Sequence, residues 1–231
     1  MIESIAFIPD GNRRYAKRVG ISLAESYALG TEKAFDIVKW LSKYSSISVG
    51  TFYTFSLKNF ARSKMELNIL FKIFDDQLDK VYTNPLFEEE KVSLKFIGRR
   101  DMFPVNLQKK MDSVEEYTSK FNKRQINLAL GYDGQTEIVD AAQKFAEEVS
   151  LGKAKPEDLS VGNFSKYLYS DFKAPDLIVR TSNEQRLSGF LTYQSSYSEL
   201  AFLDKYWPEL TETDVDKVIT DFNERDRRFG K

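Results

Sequence analysis

The sequence contains no cysteine and no histidine among its 231 residues. Their absence excludes disulfides, zinc-thiolate sites, thiol nucleophiles and imidazole bases. The chain also has no excess of charge of one sign, because 34 Lys and Arg residues against 35 Asp and Glu residues leave a formal net charge of -1. Such a chain has no overall positive field that would gather nucleic acid, so we expect no nucleic-acid partner. Catalysis must therefore use carboxylates, amides, hydroxyls, arginines or a hard metal ion.

Long apolar runs are absent as well. No stretch approaches the roughly 18 apolar residues of a membrane span, and Met1 leads straight into strand-like sequence without a basic and apolar leader. These features predict a cytoplasmic protein. Because 42% of the residues are hydrophobic and 14% aromatic, the chain can bury a large core, and we expect one domain over residues 1–231.

Six short runs rich in β-branched and aromatic residues alternate with longer segments of helical spacing. The runs read IAFIP, SVGTFYTFS, VSLKFIG, INLALGY, PDLIVRT and ELAFLD. Apolar stripes predict helices that include residues 34–41 and 67–81. This alternation is typical of an α/β fold whose mainly parallel sheet is covered by helices.

Polar residues that matter in such sheets usually follow the carboxyl ends of strands. The first such loop is PDGNRR, where the amides of Gly11 to Arg14 can open a helix towards an anion. Asp10 would repel a phosphate there, and a Mg²⁺ ion between carboxylate and phosphate would remove the repulsion. The alternative interpretation is an Asx turn closed by Asp10, followed by a solvated basic turn.

Two further loops carry groups that suit phosphate. Residues 180–188, RTSNEQRLS, bring Arg180, Arg186 and Ser188 close together, and Glu184 between them would orient one arginine. A surface salt-bridge loop is the alternative. Residues 56–63, SLKNFARS, add Asn59 and Arg62. Three such loops indicate a ligand with several phosphates, or two ligands. Neither of the nucleotide-binding motifs GxxxxGK[ST] and GxGxxG occurs, so the sequence gives no support for the nucleotide-binding folds that carry them.

Four stretches together resemble the cis-prenyltransferases, the undecaprenyl and dehydrodolichyl diphosphate synthases. They are DGNRRYAKRVG, FYTFSLKNFARSKMELNIL, PDLIVRTSNEQRLSGFLTYQSSYSELAFLDKYWPEL and the terminal RDRRFGK, and they extend over nearly the whole chain. NRRYA and NFARS are more similar to the eukaryotic and archaeal branch. The resemblance implies a single α/β domain with a parallel six-stranded sheet and a hydrophobic tunnel. It also implies an enzyme that condenses isopentenyl diphosphate with an allylic prenyl diphosphate to give a Z-polyprenyl diphosphate.

The resemblance further implies roles for individual residues. Asp10 would hold the Mg²⁺ that helps the allylic diphosphate leave, and Glu199 would be a second metal ligand. Asn12 and Asn59 would assist proton removal, and Phe60 would lie beside the substrate. The diphosphate-binding residues would be Gly11, Asn12, Arg13, Arg14 and Arg62 for the leaving group, and Arg14, Arg180, Arg186 and Ser188 for isopentenyl diphosphate.

The same resemblance implies a homodimer, with a tail carrying Arg228, Phe229 and Gly230 that reaches across it in some members. The growing hydrocarbon needs a dry pocket and draws the enzyme transiently to a membrane surface, so we expect a hydrophobic rim at the mouth. The predicted tunnel lining is Leu67, Leu70, Phe71, Phe74 and Leu78 on one helix and Ile37, Val38 and Leu41 opposite, with Phe71 and Phe74 at the floor. For each of these residues, ordinary core packing is the alternative.

The chain departs from the family pattern at several positions. Leu23 and Tyr27 stand where an arginine and a histidine are usual, Lys58 replaces an acidic residue, and Asn183 replaces a glycine. Asp133 and Gln135 stand where glycine and arginine are common. These departures leave open a short allylic donor or an unusual acceptor. A non-catalytic isoprenoid-binding subunit is a weaker alternative, because Asp10 and the arginine set are retained.

Overall fold

The computed structural model describes residues 1–225, and six parallel strands form its sheet in the order β3-β4-β2-β1-β5-β6. The strands are β1 (Ser4–Ile8), β2 (Val49–Ser56), β3 (Val92–Ile97), β4 (Arg124–Tyr132), β5 (Leu177–Arg180) and β6 (Glu199–Phe202). Each lies on one of the six predicted runs, and every strand pairing is parallel. The predicted fold class is therefore confirmed.

Helices cover the sheet. They are α1 (Asn12–Val19), α2 (Leu23–Leu41), α3 (Lys64–Lys80), α4 (Pro85–Glu89), α5 (Val105–Thr118), α6 (Gly134–Ser150) and α7 (Glu212–Asn223). Polar side chains start several of them: Ser22 and Glu25 form a capping box on α2, and Ser63 caps α3. The two predicted helical stripes lie on α2 and α3.

Alternate residues of the strands face two different cores, as the period of a strand requires. Ile5 and Phe7 of β1 lie in the larger core, which also takes residues from α2, α3, α5 and α7. Ala6 and Ile8 lie in a smaller core with Phe190 and Leu191. No helix within residues 1–225 is long and apolar enough to cross a membrane. The predicted dimer tail at 228–230 lies outside the described residues.

The central strands determine where the polar loops meet. In the register of β1 with β5, Ile8 lies opposite Arg180, so the loops that follow the two strands start side by side. Between β5 and β6 the chain forms only a short 3-10 helix, Gln194–Tyr197, instead of an α-helix. The residues after Arg180 are therefore free to fold over the carboxyl edge of the sheet, next to Asp10.

Candidate active site

The turn after β1 depends on Gly11. Its φ is 103°, in the region that favours glycine, and an added Cβ would fall on Ser182 Oγ and lie 2.7 Å from Tyr206 Cδ1. Thr181 Oγ1 holds the turn, since it accepts from Asp10 N at 2.9 Å and donates to Asp10 O at 2.7 Å. Gly11 is the N-cap of α1 and supplies no side-chain acceptor, so the first N–H groups of α1 remain open to an anion.

The Asp10 carboxylate lies between two arginines. One oxygen accepts from Arg14 at 3.1 Å and the other from Arg180 at 2.9 Å. Burial alone would raise the pKa of Asp10, but the hydrogen bonds and charges of Arg180 and Arg14 outweigh it and hold the pKa below its ordinary value. The side chain keeps 28% of its exposure and is ionised, as a metal ligand must be. An Asx turn at Asp10 is not what the structure contains.

The loop after β5 brings its predicted residues together around Arg180. The buried Arg180 donates through Nη1 to Ser188 Oγ at 2.8 Å and to the carbonyl oxygen of Arg186. Glu184 accepts from Arg14 at 3.1 Å and also from Arg186, which confirms that it orients arginine side chains. The loops after β1 and β5 thus form one polar cluster.

The loop after β5 has a strained backbone that explains one departure from the family. Asn183 has a φ of 54°, and its neighbour Ser182 has a φ of 74°. Asparagine adopts this left-handed region more readily than most non-glycine residues, so it can take the place of the usual glycine. Asp133 is equally accounted for, because its side chain caps α6 by accepting from the amides of Gln135 and Thr136.

The loop after β2 places Arg62 beside the departure at Tyr27. Arg62 Nη1 donates to the Tyr27 hydroxyl at 2.7 Å and to Glu66 Oε1 at 2.9 Å. The Tyr27 hydroxyl in turn donates to the same Glu66 oxygen at 2.6 Å. Burial, followed by the hydrogen bond to Glu66, raises the pKa of Tyr27 to about 12. Leu23, the other departure, packs against the larger core.

The two predicted amides occupy different environments. Asn12 Oδ1 is buried and has no hydrogen-bond partner within the described chain. Asn59 Oδ1 accepts from the backbone N–H of Ser56 at 2.9 Å, so it closes the turn after β2. Phe60 packs its ring 4.9 Å from Phe55 and 5.2 Å from Phe103, measured between centroids.

An apolar cavity of about 160 Å³ lies between α2, α3 and the sheet. Asn12 and Tyr27 line its polar end, and Phe87 and Met111 also contribute to its wall. Four predicted lining residues do line it: Val38, Leu70, Phe74 and Leu78.

The other four predicted lining residues lie elsewhere, and for them the prediction was wrong. Ile37 and Leu41 are fully buried in the larger core, and Leu67 packs against that core. Phe71 belongs to a ring cluster, 5.6 Å from Phe103 and 6.1 Å from Phe55, so of the two predicted floor residues only Phe74 reaches the cavity.

Glu199 does not lie with Asp10 in this chain. It starts β6, at the amino edge of the sheet, whereas Asp10 follows the carboxyl end of β1. Its carboxylate accepts from Arg225 at 3.0 Å. Within residues 1–225, no three acidic side chains cluster closely enough to form a metal site by themselves.

Several residues of the site were not predicted. Thr181 and Tyr206 have no distinctive pattern, yet Thr181 holds the Asp10 turn and Tyr206 lies 5.7 Å below the Arg14 guanidinium. Glu66 could have been found, because its spacing of four from Arg62 at the start of a helix is typical of an ion pair.

The sequence of the whole chain is similar to one known family. A model of the family described as "Putative undecaprenyl diphosphate synthase" matches residues 8–230. The chain belongs to this family. The fold and the arginine-lined carboxyl edge of the sheet therefore belong to a cis-prenyltransferase, an enzyme that condenses isopentenyl diphosphate with an allylic diphosphate to form a Z-polyprenyl diphosphate.

Individual cis-prenyltransferases match over almost their full length. A tritrans,polycis-undecaprenyl-diphosphate synthase (geranylgeranyl-diphosphate specific) from Thermoplasma acidophilum is 41% identical, over 98% of this chain and 88% of the relative. A synthase of the same description from Pyrobaculum aerophilum is 40% identical, over 98% of this chain and 95% of the relative. The crystal structure of lavandulyl diphosphate synthase from Lavandula x intermedia with dimethylallyl diphosphate has a TM-score of 0.94 and 31% identity, over 100% of this chain and 98% of that one.

Proposed function

We propose that this cis-prenyltransferase is a Mg²⁺-dependent enzyme whose allylic donor is geranylgeranyl diphosphate. The observation that carries the proposal is the position of the charged cluster around Asp10 at the polar end of an apolar cavity. A prenyl diphosphate has the same division into a charged head and an apolar tail.

Two observations support a long donor. The relatives from Thermoplasma acidophilum and Pyrobaculum aerophilum are described as specific for geranylgeranyl diphosphate. The cavity lining follows α3 from Leu70 and ends at Val81, directly after that helix, roughly 16 Å along a helix axis, which suits an extended tail. Dimethylallyl diphosphate is the second candidate, since the structurally similar lavandulyl diphosphate synthase contains it and Leu23 replaces the expected arginine.

The donor set around Asp10 fits Mg²⁺. Magnesium is usually held by one or two carboxylates together with substrate phosphates and water, so it does not need a cluster of acidic side chains. Asp10 is ionised and partly exposed, and the neighbouring α1 amides and Arg14 are suited to phosphate oxygens. When bound there, Mg²⁺ would neutralise charge on the departing diphosphate. Glu199 remains a proposed second ligand, although it lies at the opposite edge of the sheet within one chain.

The remaining roles divide between two diphosphates. The amides from Gly11 to Arg14, with the Arg13 and Arg62 side chains, stabilise the leaving diphosphate of the allylic donor. Arg180, Arg186 and Ser188, with Arg14, bind isopentenyl diphosphate. Phe60 lines the approach to the reacting carbons.

Loss of a proton completes each condensation. Asn12 Oδ1 accepts no hydrogen bond from residues 1–225, which supports a role in orienting the proton acceptor, because a buried amide oxygen without a donor is costly unless a ligand or water uses it. Asn59 already uses its Oδ1 for Ser56 N, which leaves its NH₂ group for this task.

The proposed assembly is a homodimer. Strand β6 lies at one end of the sheet order within residues 1–225, and Leu200 in it is 38% exposed, so the described part of the chain leaves unpaired backbone and apolar surface at this edge. Light scattering after size exclusion tests the mass, and a monomer at assay concentration would contradict the proposal.

The proposed contact with a membrane surface is transient. Met65 at the start of α3 and Met102 and Val105 around the start of α5 are exposed, and both helices start near the carboxyl edge of the sheet. Flotation with phosphatidylglycerol vesicles in the presence of product tests this contact, and recovery of all protein in the unbound fraction would contradict it.

The experiment that tests the function uses the purified protein, labelled isopentenyl diphosphate, Mg²⁺ and allylic diphosphates from dimethylallyl to geranylgeranyl. We expect a ladder of products that is longest with geranylgeranyl diphosphate and disappears in Asp10→Ala. Asp36→Ala is the matched control, because Asp36 lies on α2, is half exposed and pairs only with Lys33 among the described residues. No extension by folded protein with any donor would instead favour an unusual acceptor or a non-catalytic subunit.

A further inference from the structure

Among the described residues, the Arg62 guanidinium is anchored through Nη1 alone. Nη1 makes both hydrogen bonds, to the Tyr27 hydroxyl at 2.7 Å and to Glu66 Oε1 at 2.9 Å. Within residues 1–225, Nε and Nη2 donate to no protein atom. A guanidinium is planar and rigid, so anchoring Nη1 determines the direction in which the other donors point.

Arg62, Glu66 and Tyr27 form a largely buried triad. The Arg62 side chain is 23% exposed, Glu66 is 8% exposed, and Tyr27 is likewise 8% exposed. Its ring lies 5.8 Å from the Arg62 guanidinium carbon, within reach of a cation–π contact. Tyr27 also lines the polar end of the apolar cavity, together with Asn12. The triad therefore lies where the charged head of a prenyl diphosphate meets its tail.

From this geometry we infer that Tyr27 is a positioning residue, which directs the free Arg62 donors at the diphosphate of the allylic donor. The inference rests on the proposed role of Arg62. Tyr27 does not touch the reacting atoms; it acts by accepting a hydrogen bond from Arg62 and donating one to Glu66, which keeps Arg62 from turning fully onto the carboxylate.

The Tyr27 phenol also makes the orientation of Arg62 independent of pH near neutrality. The charged groups that face Tyr27 are Arg13 on α1, Arg62, and Glu66 on α3. With a pKa raised to about 12, Tyr27 keeps its proton at neutral pH and always offers one donor and one acceptor. A histidine at this position would gain a second proton below roughly pH 6.5 and lose the acceptor that Arg62 uses.

The test measures the KM of both substrates in Tyr27→Phe, Arg62→Ala and the double variant. We expect Tyr27→Phe to raise the KM of the allylic diphosphate about tenfold, the effect of losing the hydrogen bond that the charged Arg62 donates to the phenol, and to leave the KM of isopentenyl diphosphate within twofold. In the Arg62→Ala background the same substitution adds less than about twofold, because its partner is gone. Tyr44→Phe is the matched control, since its hydroxyl also donates to a carboxylate, Asp216 at 2.7 Å, far along the chain from the site residues.

The outcomes separate this inference from the proposed role of Arg62. If Arg62→Ala leaves the allylic KM unchanged, the role of Arg62 is refuted and the role of Tyr27 with it. If Arg62→Ala raises that KM but Tyr27→Phe does not, only the inference on Tyr27 is overturned. Equal effects on both substrates, or additive effects in the double variant, overturn it as well.

A further variant, Tyr27→His, covers the case in which Tyr27→Phe fails to fold. Tyr27→His is expected to retain the allylic KM at pH 8 and to raise it as pH falls below roughly 6.5, whereas the parent protein shows no such rise. If the allylic KM of Tyr27→His is the same at pH 8 and pH 6, the inference is contradicted. A purely structural role of Tyr27 would give that result, because it provides no reason for the KM of one substrate alone to depend on pH.

Discussion

Replacing Gly11 by Ala is expected to destabilise the Asp10 turn for two separate reasons. The first is conformational, because the φ of 103° disfavours any residue with a Cβ. The second is steric, since the new methyl group would meet Ser182 Oγ and Tyr206 Cδ1. Gly20→Ala is the control for the first cost alone: the φ of Gly20 is 76°, Gly20 ends the same helix, and no atom of the described residues lies within 4 Å of an added Cβ.

The magnitudes differ enough to be measured. Left-handed backbone costs a non-glycine residue about 1 kcal/mol, which lowers the Tm of a domain of this size by about 3 °C in Gly20→Ala. Overpacking adds about 1–3 kcal/mol, so we expect Gly11→Ala to lose about 3 kcal/mol and about 9 °C. Activity responds more strongly, because a displacement of about 1 Å in the Asp10 turn costs about 100-fold in kcat/KM. Calorimetry and the labelled-product assay measure both effects.

A specific result would refute this reasoning. If Gly11→Ala and Gly20→Ala lower the Tm by the same amount and both retain full activity, the close approach of Ser182 and Tyr206 to Gly11 has no energetic consequence. The activities of the two variants are compared at equal concentrations of folded protein, so that a loss of activity is not mistaken for a loss of folded protein.

Three further outcomes are expected. Phe74→Ala lengthens the product, because Phe74 lines the cavity. Phe71→Ala leaves the product ladder unchanged, because Phe71 lies in the neighbouring ring cluster. An equal change of product length in both variants would contradict the position of Phe74 at the cavity floor. The pKa of Asp10 is lowered in the folded state, so its stabilising contribution is complete above its unfolded pKa of about 3.9 and is lost as pH falls through the lower folded value. The free energies of unfolding of the parent and Asp10→Asn in urea should therefore converge as pH falls through that lower folded value, and a constant difference would count against the two arginine contacts. EDTA abolishes turnover without changing the Tm, because the described residues contain no multi-carboxylate metal site; a lower Tm would indicate a structural metal.

Local patterns were enough to predict the strands and the loops that carry charge. Asp10 follows β1, Arg180 ends β5 and Ser188 lies in the loop after β5, and parallel strands bring such ends to one edge. The cavity lining could not be predicted as reliably, because residues four apart on α3 form two adjacent rows. Leu70, Phe74 and Leu78 face the cavity, while Leu67 and Phe71 turn towards the core, and a small rotation of the helix decides between the rows.

Glu199 shows a different limit of sequence reasoning. A motif match says which residues share a family pattern, but it does not say at which edge of the sheet a residue lies. Glu199 starts its strand, so within one chain it is separated from Asp10 by the length of β6.

What the sequence determined by itself was the kind of chemistry and its setting. The lack of cysteine and histidine, the alternating strands and helices and the polar strand ends indicated a parallel α/β sheet with an arginine and carboxylate site. Only the tertiary structure decided which charges pair and which remain free. Tyr27 and Arg62 are 35 residues apart, and no local pattern links a buried phenol to a distant guanidinium. Their contact exists because α2 and α3 pack on the same face of the sheet, and that packing depends on the whole core.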